Sequence, residues 1–289
     1  MEYLLHICII AGIYYILTLS LNLVVGYTGL PSIGHAAFYC IGAYTSALLA
    51  LRLGLSPWLG LPAGAVMAAI LGLIIGLPSL RLRGDFLAVA TFGLGVIIYQ
   101  IALNWVSFTR GPMGLPGIPG YSIFGWEIDA LWAYLILVVV LSLIAFLVIR
   151  KIVKSPFGRV LRAVRDDETA AEALGKNTVK YKLYAFIIGA FFAGIAGNLY
   201  AHYITFIDPS SFTVMESVTI LLMVILGGMA SLKGSLMGAI VLVFVPEILR
   251  FLGLPSSIAA QVRQMLYGLI LTGLMLLRPQ GIFGKYRFQ

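Results

Sequence analysis

Long uninterrupted apolar runs dominate the chain, and they do not alternate with polar residues at a period of two. A transmembrane helix needs about 20 apolar residues, whereas alternation would indicate a membrane β-barrel. Because lipid forces backbone groups to pair within each segment, the runs predict helices. We therefore expect an all-α integral membrane protein, a polytopic bundle of about eight to ten transmembrane helices with broken or re-entrant segments. The candidate spans are 4–25, 36–53, 58–79, 86–106, 131–149, 183–204, 215–230, 235–253 and 262–277.

Composition supports a single membrane domain over 1–289. The chain is 61% hydrophobic and only 10% charged, whereas soluble domains carry about 25% charged residues. Residues 1–25 lack the basic start of a signal peptide, so we expect a retained helix there. Cys8 and Cys40 both fall in apolar runs, which indicates small core residues rather than a disulfide.

One long hydrophilic stretch, 150–182, fixes the predicted orientation. With this loop in the cytoplasm and the spans alternating outward from it, 15 of the 19 Lys and Arg residues fall inside and 4 outside. Cytoplasmic loops are enriched in Lys and Arg. The N-terminus is then predicted outside and the C-terminus inside. The Gly- and Pro-rich loop 107–130 also lies outside, as a structured cap or as a docking surface for an extracytoplasmic partner.

Two glycine-rich breaks interrupt the apolar runs. They are GYTGLPSIGHAAF at 26–38 and LGGMASLKGSLMG at 226–238. Irregular backbone at membrane depth survives only where protein buries it or where it lines a watery cavity, and paired breaks point to a central transport site. Small residues on the following helices favour close helix packing. Candidate pathway residues, whose hydroxyl, imidazole or backbone groups could serve a zwitterion, are Thr28, Ser32, His35, Gly228 and Ser231. A lone histidine in this setting is more often structural than a ligand.

Several kinds of site have no signature in the sequence. The acids fall at predicted span ends or in loops, Glu247 lying deepest with Arg250 as a plausible neighbour, so no central carboxylate remains for ion coupling. A GxxxxGK[ST] nucleotide motif is missing, and three widely spaced histidines make no metal site. No catalytic set is evident. The chain is therefore passive or takes its energy from a partner.

The loop itself has a predicted shape. Ser155 caps a helix and Pro156 suits its first turn. Apolar residues recur at helical spacing through Val164, with arginines on the other side. Asp166 and Asp167 start a second, Ala-rich helix that Gly175 ends. Binding to anionic lipid would explain the basic residues, but it would not explain the acidic cluster or the capped short helix.

These residues resemble the coupling loop of ABC importer permeases, whose pattern is Glu-Ala-Ala, three residues, then Gly. Here the tetrad is Thr169, Ala170, Ala171 and Gly175, with threonine in place of glutamate. The closer resemblance, over nearly the full chain, is to the permeases of branched-chain amino acid importers. The LivM-like type fits better than the LivH-like type, chiefly through GPMGLPGIP. The segments that carry it are GYTGLPSIGHAAFYCIGAY, GDFLAVATFGLG, GPMGLPGIP, SPFGRVLRAVRDDETAAEALG, FFAGIAGNLYAHY, GGMASLKGSLMGA and LRPQGIFG.

The resemblance implies an ABC importer permease subunit in a bacterial or archaeal inner membrane. Its partners would be a homologous LivH-like permease, two cytoplasmic ATP-binding subunits and an extracytoplasmic substrate-binding protein, in a setting of membrane lipid. ATP would be bound by the partner and no cofactor by this chain. Leucine, isoleucine and valine, or related amino acids and amides, would be the cargo. The expected contact with the ATPase comprises Arg162, Asp166, Asp167, Ala171 and Gly175.

Three alternatives stay open at this point. The chain could be a passive channel or facilitator for small amides or amino acids. An intramembrane enzyme is disfavoured because no catalytic residues converge. The permease could also pair with a second copy of itself rather than with a LivH-like chain.

Overall fold

The computed structural model describes residues 1–79, 85–123, 126–127, 130–251, 256–278 and 280–284. Helices form nearly all of this part. They are α1 (Glu2–Thr28), α2 (His35–Leu53), α3 (Pro57–Ser79), α4 (Asp85–Asn104), α5 (Val106–Thr109), α6 (Leu131–Lys154), α7 (Pro156–Asp166), α8 (Glu168–Ala173), α9 (Thr178–Ile204), α10 (Val214–Gly227), α11 (Leu232–Phe251) and α12 (Ser256–Leu277). Short 3-10 turns cover Gly111–Met113 and Pro209–Phe212.

Each of the nine predicted spans coincides with a helix, which confirms the all-α polytopic fold. Within the described residues, six helices are long and apolar enough to cross a membrane: α1, α2, α3, α6, α9 and α4 from Phe86 onward. The helix α10 is apolar but shorter, at 14 residues. Its length matches the prediction that the region near 215–253 is broken.

The core is built where α2, α3 and α9 cross, and small residues make the crossing possible. A Cβ atom on Gly42 of α2 would lie 2.4 Å from the backbone of Gly194 on α9. A Cβ on Gly238 of α11 would lie 1.9 Å from the Met223 carbonyl of α10. Because backbones touch directly at these points, the glycines serve helix packing, as the small-residue pattern predicted.

Different contacts identify the two ends of the helix bundle. At one end the side chain of His6, near the start of α1, is hydrogen-bonded to Tyr203, near the end of α9, at 2.7 Å. At the other end the α7–α8 segment meets Gly26 through Arg165 at 3.1 Å. The N-terminus and the 155–177 segment therefore lie at opposite ends. Of the basic residues used to predict orientation, Arg81, Arg83, Lys285 and Arg287 lie outside the described residues.

The loop after α4 folds into an ordered cap at the same end as His6. Its strand β1 (Leu115–Pro116) pairs antiparallel with β4 (Phe206–Ile207), and β2 (Ser122–Ile123) pairs with β3 (Trp126–Glu127). Tyr121 is fully buried and donates a hydrogen bond to the Asn198 side chain of α9. Burial raises the pKa of the Tyr121 hydroxyl, so it remains a neutral donor. These contacts favour the structured-cap interpretation of the loop.

One expectation about the cysteines was wrong in part. Cys40 is buried in α2, but Cys8 is exposed on α1. The apolar run around Cys8 covers the whole circumference of the helix, so composition alone does not identify its outward face.

Candidate functional site

The α7–α8 segment has the two capped helices that the sequence predicted. The Ser155 hydroxyl accepts the Gly158 amide at 3.4 Å and Pro156 occupies the first turn of α7. The Asp167 carboxylate accepts the Ala170 amide at 2.9 Å and so caps α8. Gly175 has a left-handed φ of 76°. That conformation lets the next amide, of Lys176, bond back to the Ala171 carbonyl at 3.2 Å, which closes the helix end.

The inner face of α7 is seated on the membrane helices. Leu161 and Val164 are buried, and the ring of Phe157 lies 5.3 Å from that of Tyr181 on α9. Arg162 is exposed but its guanidinium reaches back to the Val153 carbonyl near the end of α6, at 3.3 Å. The apolar stripe predicted for this helix is thus the surface that attaches it to the bundle.

Ion pairs and hydrogen bonds join α8 to the first turns of α9. The Lys182 ammonium lies 2.5 Å from a Glu168 carboxylate oxygen, and the Lys182 side chain is only 7% exposed. Thr178 Oγ1 lies 3.0 Å from the same Glu168 oxygen and 2.7 Å from a Glu172 oxygen. Since a buried lysine is costly unless it is paired, Lys182 keeps the Glu168 carboxylate against α9, which joins α8 to that helix.

Arg165 joins the segment to α1. Its guanidinium donates to the Gly26 carbonyl at 3.1 Å and to the Asp166 carboxylate at 2.9 Å. Its side chain also lies against Gly29, where an added Cβ would be 2.9 Å from Arg165 Cγ. The sequence placed Arg165 only in a basic stripe. A contact between residues 139 positions apart has no local signal.

The predicted coupling residues differ in exposure. Arg162, Asp166, Asp167 and Gly175 are exposed, whereas Ala171 is buried and faces the chain's own helices. Leu174, which was not among the predicted residues, is 78% exposed between Ala171 and Gly175. A large apolar side chain exposed in the polar loop is a candidate partner contact.

The first break, defined as residues 29–34, returns into the membrane before the next helix starts. Gly29 ends α1 with a left-handed φ of 71°. His35 begins α2 and its Nε2 is hydrogen-bonded to Ser20 at 2.7 Å. Ser20 precedes Thr28 by eight helical residues, which corresponds to about 12 Å along α1. Residues 29–34 therefore run at membrane depth, as irregular backbone buried by protein.

Neighbouring helices satisfy the backbone of the first break and of the start of α2. The Ile33 amide donates to Thr91 Oγ1 of α4 at 3.1 Å, and the Ala36 amide donates to Ser217 Oγ of α10 at 2.8 Å. Gly34 packs so closely on α4 that a Cβ would lie 2.2 Å from the Thr91 carbonyl. Ser217 thus takes the place of an N-terminal cap for α2.

The predicted pathway residues within and directly beside the first break are buried. The Thr28 hydroxyl donates to the Val24 carbonyl within α1, and His35 is paired with Ser20. The Ser32 hydroxyl is buried and has no hydrogen-bond partner within the described residues.

The second break, defined as residues 228–231, is held by one side chain of α1. Asn22 is fully buried and accepts the Ala230 amide at 2.9 Å. Its amide nitrogen donates to the Ser231 carbonyl at 3.1 Å and to Ser235 Oγ at 2.7 Å. Asn22 was missed in the sequence because it is a lone polar residue within a long apolar run. Such a residue, when it is buried within the protein, nearly always has a polar partner.

The chain's C-terminal part adds a second support to this break. The amides of Ile282 and Phe283 donate to the Leu226 and Gly227 carbonyls at 2.9 and 3.0 Å. These carbonyls belong to the last turn of α10 and lack helical partners. Gly228, with φ 107°, touches Gly281 and Gly284. The two predicted pathway residues of this break are therefore packed, Ser231 also accepting the Gly234 amide at 3.1 Å.

The sequence placed Glu216 at a predicted span end, but the structure places its carboxylate deeper in the bundle. Glu216 accepts a 2.5 Å hydrogen bond from Tyr14, which lies about half-way along α1. Tyr14 is eight residues, or about 12 Å, from His6 at the outer end. The segment 205–213 turns back into the bundle before α10 begins, so the start of this helix is not at the membrane surface. Sequence hydropathy cannot show that displacement.

The family described as "Branched-chain amino acid transport system / permease component" matches residues 3–277. This chain belongs to that family. It is accordingly a multi-pass transport permease of the membrane, and the resemblance found in its sequence motifs is confirmed.

Named relatives of both permease types are similar to the chain. The "High-affinity branched-chain amino acid transport system permease protein LivM" of Escherichia coli K12 is 40% identical over 96% of this chain and 69% of that protein. A probable LivM of Methanocaldococcus jannaschii is 27% identical over 94% of this chain and 90% of that protein. The Escherichia coli K12 LivH is 25% identical, over 94% of this chain and 91% of that protein.

A solved structure also aligns with the fold. It is described as "PsaBC from Streptococcus pneumoniae in complex with Fab". It covers 96% of this chain and 92% of its own, with 15% sequence identity and a TM-score of 0.48.

Proposed function

We propose that the chain is the membrane permease subunit of an ATP-driven importer for branched-chain amino acids. Leucine, isoleucine and valine, or related amino acids and amides, are the proposed cargo. The names of the LivM and LivH relatives support this substrate class. ATP is hydrolysed by a partner subunit, so the chain itself is a transporter component rather than an enzyme.

The observation that carries the proposal is the attachment of the α7–α8 segment. It is tied to α1 through Arg165 and Gly26 and to α9 through Glu168 and Lys182, while its other face is exposed. A partner that pushes on the exposed face would move the ends of two membrane helices at once. One of these, α1, is followed by the first break and holds the second break through Asn22.

The proposed contact surface consists of Arg162, Asp166, Asp167 and Gly175, with Leu174 added because it is exposed. Ala171 contributes by seating α8 rather than by touching the partner. Asp167 has a second role, since it caps α8. Replacing it therefore alters the shape of the surface as well as its charge.

The proposed assembly contains a second, LivH-like permease, two cytoplasmic ATP-binding subunits and an extracytoplasmic substrate-binding protein. The 150–182 loop and the C-terminus face the cytoplasm of a bacterial or archaeal cell, and the N-terminus faces outside. The relative positions of the ends support this topology. The 280–284 segment bonds to the end of α10 and packs on Gly228, on the same side of the bundle as the contact of Arg165 with Gly26, whereas His6 lies at the far end. Thr28, Ser32, His35, Gly228 and Ser231 remain predicted pathway residues.

The contact surface can be tested with Leu174→Asp in the complex reconstituted from all four kinds of subunit. We expect the ATPase subunits to be lost on co-purification and ATP-driven leucine uptake to fall at least about tenfold, since a buried charge weakens an apolar contact. Leu53→Asp is the matched control, because Leu53 is also exposed (66%) but lies at the opposite end. Retention of the ATPase subunits by Leu174→Asp would contradict the assignment.

The same proteoliposomes distinguish the importer from a passive facilitator. An importer takes up leucine only with ATP, the ATPase subunits and the binding protein present. Uptake that persists in vesicles holding only the permeases, without nucleotide, would instead establish the facilitator.

A further inference from the structure

A cavity of about 610 Å³ lies among α1, α10, α11 and α12. It includes His6 and Ile7 near the outer end of α1 and reaches Tyr14 about half-way along that helix. It therefore occupies the outer half of the bundle, on the side opposite the α7–α8 segment. None of the five residues predicted for the pathway lines it.

Two carboxylates face this cavity. Glu216 is the third residue of α10, where the helix N-terminus favours negative charge. The Tyr14 hydroxyl holds it in place at 2.5 Å. Glu247 of α11 is the second carboxylate in the lining. Its Oε2 atom is buried and has no hydrogen-bond partner in the part of the chain that the structure describes.

Pro246 explains how the wall beside Glu247 is shaped. A proline has no amide hydrogen, so the Leu242 carbonyl one turn earlier loses its helical donor. Tyr267 of α12 supplies the missing bond, its hydroxyl donating to Leu242 at 3.2 Å. Both residues line the cavity. The side chain of Arg250, which the sequence suggested as a neighbour of Glu247, lies outside the described residues.

Apolar side chains form much of the remaining wall. They include Ile7, Ile10, Leu222, Leu242 and Val243. Thr213 and Gln264 add a hydroxyl and an amide that can donate hydrogen bonds. The cavity thus offers two anionic groups, neutral donors and an aliphatic surface within one space. A branched-chain amino acid presents the complementary set: an ammonium, a carboxylate and an aliphatic side chain.

We propose that this cavity is a subsite of the transport pathway, in which Glu216 and Glu247 bind the α-ammonium group of the amino acid and the aliphatic wall takes its side chain. The inference rests on the proposed import function and adds a specific recognition site to it. An ammonium group loses its hydration on entering the bundle, and two carboxylates replace the lost water contacts. The orphaned Oε2 of Glu247 acquires a donor when the substrate is bound.

The test uses the whole reconstituted importer in proteoliposomes, with ATP inside and ligand-loaded binding protein outside. Leucine uptake and ATPase stimulation are measured together. Glu216→Gln and Glu247→Gln each remove one charge with little change of shape. We expect uptake to fall at least tenfold in each variant, while stimulated ATPase activity stays within twofold of the parent. Uptake at the parental level in both variants would overturn the subsite.

Two further variants separate recognition from folding. Glu216→Asp and Glu247→Asp keep the charge and are expected to restore at least a third of the parental uptake. If the aspartate and glutamine variants lose uptake equally, the carboxylates are structural and the proposal is wrong. Glu2→Gln is the matched control, since Glu2 is an exposed carboxylate at the start of α1. A parental complex without ATP-dependent uptake would refute the import function instead.

Binding of a free alkali cation by the same carboxylates is the alternative to binding of the ammonium group. Changing the cations of the medium distinguishes the two kinds of binding. With sodium and potassium replaced outside by N-methyl-D-glucamine, parental uptake should be unchanged. The competitor 4-methylpentanoate has the side chain and carboxylate of leucine but no ammonium group. An excess of it should inhibit uptake more weakly than valine in tenfold excess does. Loss of uptake in the substituted medium would assign the site to an inorganic cation and overturn the proposal.

Discussion

The two breaks begin alike and are supported differently. Each follows a helix and starts with a glycine in a left-handed or extended positive-φ conformation, Gly29 at 71° and Gly228 at 107°. The first break is supported by side chains from α4 and α10, with the α7–α8 segment packed at its start. The second is supported by one side chain, Asn22, and by the 280–284 segment.

The difference shows that α1 is the link between the breaks. Its last turns contact Arg165 at Gly26 and the second break at Asn22, one turn apart. The end of α1 would therefore transmit a displacement of α7 to both breaks. The first break distributes its support over side chains from different helices, whereas Asn22 is the one side chain that bonds to Ala230 and Ser231 in the second, with the 280–284 segment bonding to the helix end before it.

The largest effect is expected from Asn22→Leu. The substitution leaves the Ala230 amide without its acceptor and removes the donor to Ser231 and Ser235. An unsatisfied buried polar group costs about 1–3 kcal/mol, so we expect the free energy of unfolding to fall by about 3 kcal/mol. Denaturant titration in mixed micelles measures the loss. Asn104→Leu, at an exposed asparagine of α4, should change it little.

A smaller loss is expected from Gly34→Ala in the first break. The new Cβ would lie 2.2 Å from the Thr91 carbonyl, and backbone atoms cannot yield as a flexible side chain can. Overpacking of this kind costs about 1–3 kcal/mol. The control is Gly93→Ala on α4, where the new methyl group meets no atom within 4 Å apart from its own helix backbone and chain neighbours. Equal unfolding free energies for the two variants would show that the first break can move away from α4.

The places of both breaks were predictable from sequence, because glycine and proline interrupt apolar runs at 26–38 and 226–238. Local chemistry also predicted the caps of α7 and α8, since Ser155, Asp167 and Gly175 act on amides and carbonyls within a few residues. These features depend on short-range rules. They can therefore be predicted from the sequence without knowledge of the tertiary fold.

The supports of the breaks were not predictable. Asn22, Ser217 and Glu216 act on partners about 180 to 210 residues away in the chain. These contacts form because α10 and α2 begin inside the bundle rather than at its surface. Hydropathy places helices along the sequence but not along the membrane normal, so Glu216 was assigned to a span end.

Ser217→Ala should destabilise the first break by about 1 kcal/mol, since it removes the acceptor for one buried amide at the start of α2. The effect is smaller than that of Asn22→Leu because a single bond is lost. Hydrogen exchange at the Ala36 amide should accelerate while exchange in the second break stays as in the parent. Ser107→Ala, an exposed serine at the outer end, is the control. Faster exchange in both breaks would mean that they move together.

The smallest effect is expected from Ile282→Pro, which removes the amide that bonds to the Leu226 carbonyl. That bond is one of two that join the 280–284 segment to the end of α10, and the Phe283 bond to Gly227 remains, so we expect a loss of about 0.5–1 kcal/mol. Ile282→Val keeps the amide and most of the side chain, and should match the parent. If Ile282→Pro instead weakened the second break as much as Asn22→Leu does, support would not be concentrated in Asn22. The C-terminal segment would then share the role in the second break that α4 and α10 have in the first.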